Sequence, residues 1–165
     1  MKKYGVFYGS ATGTTESVAL KIAEKLGVAK EDVHDVHDSA PDMFGEYEVL
    51  VLGTSTWGDG EVEEDWYNVL NGLAAVSLRN QKIALFGCGD QTMSESFCNG
   101  VGELYERLKL TGATFIGAFN TDGYTFDHSS AVIGGQAVGL LLDEVNNPEM
   151  TPVRIIEWTD LIKKS

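Results

Sequence analysis

Within its first 26 residues the chain commits itself to one kind of fold. Tyr4-Gly5-Val6-Phe7-Tyr8 is a short apolar run that reads as a buried strand, and Glu16 to Leu26 has the spacing of a helix. Between them lies Gly9-Ser10-Ala11-Thr12-Gly13-Thr14-Thr15, small and hydroxyl-rich. A strand that turns at once into a helix is the opening of a βαβ unit. It also aims unpaired N–H groups and the positive end of the helix dipole at whatever fills the turn. Ser and Thr are favoured N-caps, but capping needs only one or two hydroxyls. Four hydroxyls and two glycines in seven residues exceed that need. The run holds no Lys or Arg, so an anion here would be met by neutral donors alone. That suits a terminal phosphate that is held and not transferred.

The same alternation continues along the chain. Strands are predicted at 3–9, 32–36, 48–54, 82–87 and from 113–117 onward. Helices are predicted at 14–26, near 40–45, and at 64–73, 99–111 and 152–163, the last with Thr151 as N-cap and Pro152 in its first turn. Val49-Leu50-Val51-Leu52 and Ile83-Ala84-Leu85-Phe86 are continuous apolar runs, as expected of strands covered on both faces. Val101, Leu104, Tyr105 and Leu108 form one buried helical face, and Trp66 and Trp158 lie on helical patterns as core residues. The polar, Gly-rich stretch 117–140 is too long for an ordinary connection, and apolar sequence resumes at Val138 to Leu142. It reads as an insertion that interrupts the fifth strand. The prediction is an α/β fold: one domain over 1–165, with an open, doubly wound, five-stranded parallel sheet.

Such sheets bind ligands beyond the carboxyl ends of their strands. Three predicted strand ends, at Gly9, Gly53 and Gly87, run into polar loops that contain glycine, and they define a single composite site. In the second loop Trp57 sits among Ser55, Thr56, Gly58, Asp59 and Gly60. A large aromatic in such a place has a partner, either a stacked planar ligand or its own domain beneath it as a lid. The third loop opens with Cys88, Gly89 and Asp90. Asp90 either accepts a ligand N–H or caps the next turn. Cys88 has no nearby His and is no nucleophile. A phosphate at one loop, a flat ring at the second and hydrogen-bonding backbone at the third describe a mononucleotide with a planar head. Flavin mononucleotide (FMN) fits.

Composition removes other classes. A net charge of −13 argues against nucleic acid and anionic membrane surfaces and favours a basic partner. No apolar run approaches a membrane span, and the run behind Met1-Lys2-Lys3 is too short for a signal peptide. Cys88 and Cys98, without metal-ligand spacing, are expected as reduced thiols in the cytoplasm. His34 and His37, among Asp32, Asp35 and Asp38, read as a solvated edge. A phosphoacceptor domain would need acids after the first strand, where Tyr8-Gly9-Ser10 has none. The Gly-x4-Gly-Lys pattern of a P-loop is absent.

At these residues the chain resembles the flavodoxins of the long-chain type. The resemblance rests on the Gly9–Thr15 run, on Thr54-Ser55-Thr56-Trp57-Gly58-Asp59-Gly60-Glu61, on Gly87-Cys88-Gly89-Asp90-Gln91, on Thr121-Asp122-Gly123-Tyr124-Thr125-Phe126 inside the insertion, and on Val138-Gly139-Leu140-Leu141-Leu142-Asp143-Glu144. It implies a flavodoxin-like fold, non-covalent FMN and one-electron transfer, with no turnover of its own. It further implies that Ser10, Ala11, Thr12, Gly13, Thr14 and Thr15 hold the phosphate and that Trp57 stacks on the ring. The peptide after Trp57 would answer the ring's protonation state, and Asp90 would meet its pyrimidine edge. The family commonly places a Tyr four residues before the Phe at position 97, over the outer ring face; here that place falls to Met93, with Ser94 as the alternative. Phe97 is counted with the site. The implied partners are a donor reductase and low-potential oxidoreductases docking a monomer on its acidic face. An FMN-dependent quinone or nitro reductase on the same fold is the alternative.

Overall fold

The structure is a computed structural model that describes every residue except 11 and 58–60, and describes Trp57 by its backbone alone. Strands β1 (Lys2–Gly9), β2 (Val33–Asp35), β3 (Tyr47–Trp57), β5 (Lys82–Cys88) and β6 (Thr114–Ile116) form one parallel sheet in the order β2-β1-β3-β5-β6. A two-residue strand β4 (Glu61–Val62) folds back antiparallel on the end of β3. The helices are α1 (Thr14–Leu26), α2 (Trp66–Leu73), α3 (Asn99–Leu108) and α4 (Thr151–Lys163). The stretch near 40–45 is a 3-10 helix, and a 3-10 turn closes α3 at Lys109–Thr111.

Side-chain alternation along the buried strands explains the two layers of helices. Phe7, Leu50, Leu52, Ile83 and Leu85 face α2 and α3, packing with Trp66, Val69, Val101 and Leu104. Their neighbours Val6, Tyr8, Val49, Val51, Ala84 and Phe86 face α1 and α4, packing with Val18, Ile22, Ile155 and Trp158. Both tryptophans expected in the core are fully buried. Each finds a backbone partner for its indole N–H: Trp66 Nε1 donates to Gly53 O at 2.9 Å, and Trp158 Nε1 to Gly117 O at 2.8 Å. Gly53 is required by packing, because a Cβ there would stand 2.1 Å from the Phe86 ring.

The insertion does interrupt the edge strand. β6 pairs the first half of β5, with Ile116 opposite Ala84. After the excursion β9 (Leu140–Leu142) pairs the second half, with Leu140 opposite Phe86. The excursion carries the small hairpin β7 (Val132–Ile133) and β8 (Gln136–Ala137). Arg154 of α4 anchors it: the guanidinium lies 5.0 Å from the Phe119 ring and 4.9 Å from the Tyr124 ring, and donates to Asn120 Oδ1 at 3.0 Å.

Some details depart from the sequence reading. β3 runs to Trp57 because β4 gives its end a partner. Thr151 is the first residue of α4 rather than its cap, and its hydroxyl donates to Glu144 Oε1. His34 is no solvated edge: half-buried, it pairs with Tyr47 Oη at 2.8 Å and lies against Phe7. His37 is exposed and meets Asp65 at 3.2 Å. Among the described residues no helix is long and apolar enough to cross a membrane, and no group of acids, Cys and His could hold a metal ion.

Candidate functional site

Strand register brings the three loops together. Gly9 lies opposite Thr54, Thr54 opposite Gly87, and Gly87 opposite Leu141, so four chain segments leave the sheet from one row.

The first loop turns into α1 without a cap. Gly13 stands at the N-cap with φ 88°, the left-handed region that glycine adopts freely, and among the described residues no side-chain cap bond reaches the first turn. The hydroxyls are engaged otherwise or left free. Ser10 Oγ accepts from Gly13 N at 3.0 Å, and Thr12 Oγ1 lies 3.5 Å from Thr14 Oγ1. Thr12, Gly13 and Thr14 are exposed and line an open pocket of about 400 Å3 with Ser17 and Glu144. Beneath them Thr15 is buried, and its Oγ1 has no hydrogen-bond partner among the described residues. Burial first, then the Glu144 charge, pushes the nearby Cys88 thiol up to about 12, so at neutral pH it is a neutral S–H and only a weak hydrogen-bonding neighbour for that hydroxyl. Ala11 lies outside the described residues.

The second loop is braced from both sides. Thr54, fully buried, donates through Oγ1 to Ser55 O at 2.8 Å and accepts from Glu63 N at 2.9 Å. Thr56 Oγ1 accepts from Gly100 N at the start of α3, at 3.0 Å. Glu63 is buried behind the loop, its carboxyl accepting from Asp65 N at 3.0 Å, and burial raises its pKa above the usual carboxylate value. Ser55 and Thr56 are half-exposed at the strand end, and the Trp57 backbone pairs with Glu61. Gly58, Asp59 and Gly60 lie outside the described residues, and with them the peptide after Trp57 expected to face the ring.

The third loop is tied to the segment after β9. Gly89 N donates to Leu142 O at 2.9 Å, and Gln91 N donates to Asp143 Oδ2 at 3.1 Å. Asp143, fully buried, also accepts from Val145 N and Asn146 N, at 3.0 and 2.9 Å. Asp90 caps its own turn: Oδ1 accepts from Thr92 N at 2.9 Å and from Asn146 Nδ2 at 2.7 Å. Those bonds, the Thr92 hydroxyl first, hold its pKa below the usual carboxylate value. Ser94 is tied into the insertion through Asp127 Oδ2 at 3.0 Å, whereas the Met93 side chain is 53% exposed.

This fold and this row of loops have close counterparts. The sequence model of the flavodoxin family matches residues 6–158. The chain belongs to the flavodoxin family. It is 40% identical to the flavodoxin of Buchnera aphidicola over 99% of this chain and 95% of that one, and 38% identical to flavodoxin 1 of Azotobacter vinelandii over 99% and 97%. The crystal structure of Fusobacterium nucleatum flavodoxin bound to flavin mononucleotide superposes with a TM-score of 0.89 at 35% identity, covering 99% of this chain and 98% of that one. Flavodoxins are flavin-based electron carriers and not enzymes, and as one of them this chain is an electron-transfer protein.

Within this flavodoxin one expected site residue is misplaced. Phe97 is fully buried, its ring 4.8 Å from Phe126 and 5.6 Å from Tyr124, so its side chain serves the core beneath the insertion and presents nothing to a ligand. Cys88 is also buried, which leaves its backbone as the part available to the site. The sequence reading has Asp143 only within the motif Val138–Glu144 and gives no role to it or to Asn146, which hold the third loop. Asp143 with Asn146-Asn147 three residues on was the available signal.

Proposed function

We propose that this flavodoxin carries single electrons on non-covalently bound FMN. The observation that supports this most directly is the N-terminus of α1. Among the described residues its first-turn N–H groups have no side-chain cap, and the buried Thr15 hydroxyl behind them has no hydrogen-bond partner. A buried hydroxyl without a partner is unfavourable by about 1–3 kcal/mol, and a phosphate at this turn would satisfy both deficits. The neutral donors of Ser10, Thr12, Gly13, Thr14 and Thr15, with Ala11, would hold the phosphate. Bound FMN supplies one-electron redox chemistry. Around it the protein would bind and orient: Trp57 would cover one ring face and Met93 the other, while the backbone of Cys88, Gly89 and Asp90 would meet the polar edge. Ser55 and Thr56 at the end of β3 would complete the wall, and Gly58, Asp59 and Gly60 are proposed as cofactor-binding residues with them. Asp90 contributes shape, since its Oδ1 is already committed to Thr92 and Asn146.

The chain works as a single domain and a cytoplasmic monomer. Its partners are redox enzymes that dock by basic surfaces on the acidic face around the second loop, where Glu61 and Glu64 are exposed and Asp65 half-exposed, a reductase giving electrons and low-potential oxidoreductases taking them. The net charge of −13 supports this, because opposite charges steer encounter. Two experiments test the reading. Stepwise reductive titration of the FMN-loaded protein should show two separated one-electron steps, and a direct two-electron bleach would count against it. Rapid oxidation of NAD(P)H with a quinone, in the absence of any reductase, would establish the reductase alternative instead.

A further inference from the structure

The pocket at the head of α1 contains, besides its hydroxyl and N–H donors, one carboxyl group. Glu144 lines it with Thr12, Gly13, Thr14 and Ser17, and no cation is among these lining residues. The position is not accidental to a loose side chain. Glu144 follows the buried Asp143 directly, and its Oε1 accepts from the hydroxyl of Thr151, the first residue of α4. Directly after the lining residue Thr14, the buried Thr15 hydroxyl has no hydrogen-bond partner among the described residues and is suited to an acceptor at this helix end.

We infer that Glu144 sets the strength of phosphate binding by opposing it. The inference rests on the FMN reading above. In the free protein the carboxylate lies near the positive end of the α1 dipole and stabilises it. A phosphate monoester brings about −1.5 to −2 charges to that end near pH 7. It then meets both a helix terminus that favours it and a carboxylate that repels it, with no Lys or Arg among the residues that line the pocket. Glu144 therefore stabilises the empty site and weakens the filled one, and it acts on the phosphate alone. It does not touch the ring, so a flavin without phosphate is indifferent to it.

The test compares FMN with riboflavin, which has the same ring and no phosphate, on the apoprotein and two variants. Glu144→Gln keeps an oxygen to accept from Thr151 and removes the charge. Glu144→Asp keeps the charge. Fluorescence titration at low salt should show Glu144→Gln binding FMN about fivefold more tightly than the parent, equivalent to about 1 kcal/mol. The gap should narrow as salt is added. Riboflavin affinity should not change, and Glu144→Asp should stay near the parent. Equal changes for FMN and riboflavin, no change for either, or Glu144→Asp behaving like Glu144→Gln would each overturn the assignment while leaving the FMN reading intact. Failure of all three proteins to bind FMN would overturn that reading and this one with it.

Discussion

Replacing Thr15 by Val should make the free protein more stable and the FMN complex weaker, opposite signs from one hydroxyl. Thr and Val are nearly isosteric and nearly equal in helix propensity, so the exchange in the first turn of α1 is close to a pure deletion of the O–H group. In the free protein that group is buried, at 1% exposure, with Oγ1 unpaired. Leaving a buried donor unsatisfied is unfavourable by about 1–3 kcal/mol, so its removal should stabilise the apoprotein by about 1 kcal/mol. For a chain of this size that raises the melting temperature by about 2–4 °C. In the complex the same hydroxyl would donate to a charged phosphate oxygen, a bond worth about 1.5–3 kcal/mol, so FMN affinity should fall about tenfold or more. Urea denaturation of the two apoproteins reads the first effect and fluorescence titration with FMN the second. An apoprotein that loses stability would refute the claim that the hydroxyl is orphaned. An unchanged FMN affinity would refute its aim at the phosphate.

Further tests probe other parts of the molecule. Gly53→Ala places a Cβ 2.1 Å from the Phe86 ring, so it should lower stability by about 1–3 kcal/mol in thermal melts. Met93→Tyr should tighten FMN binding a few-fold by adding a coplanar aromatic, an effect of about 0.5–1.5 kcal/mol readable by the same titration. Burial holds the His34 pKa below its ordinary 6.5. Tyr47 gives its one proton to Asp32 at 2.9 Å, so His34 Nε2–H is the donor to Tyr47 and acid adds its proton at Nδ1. With the folded pKa below the unfolded one, the stability tied to neutral His34 is complete above pH 6.5 and is lost as pH falls through it. His34→Gln should flatten the change in urea midpoint between pH 7 and 5. Glu63 runs in the other direction: its raised pKa penalises the ionised form in the fold. Glu63→Gln should therefore stabilise the protein at pH 7, with a gain that shrinks as the pH falls toward the ordinary carboxylate value.

The features legible in the sequence were those that depend on short-range pattern. Apolar runs ending in Gly9, Gly53 and Gly87 marked the strand ends, and a parallel sheet leaves such ends little choice but to share an edge. The interruption of the last strand was legible because 117–140 lacks any period of its own. What escaped depends on contacts between distant segments. Phe97 is a core residue only because Tyr124 and Phe126 return from the insertion to cover it. His34 is half-buried only because Tyr47, 13 positions on, reaches back to it. Thr151 does not cap α4 because the 3-10 turn Pro148–Met150 runs directly into the helix, which leaves Thr151 already helical at φ −59° and ψ −47°.

The two halves of the edge strand carry a last consequence. Ile116 stands opposite Ala84 and Leu140 opposite Phe86, so one rung, the one facing Leu85, separates them. The sheet thus counts a single residue of the whole excursion. Its length is free to drift without sliding the row that holds Gly9, Thr54 and Gly87. The third loop has no such freedom, because Thr125 N donates to Gln91 Oε1 at 2.6 Å, and Asp127 N and His128 N both donate to Ser94 O at 2.8 Å. A chain trimmed at this excursion would keep its sheet and lose its grip on the loop that carries Met93.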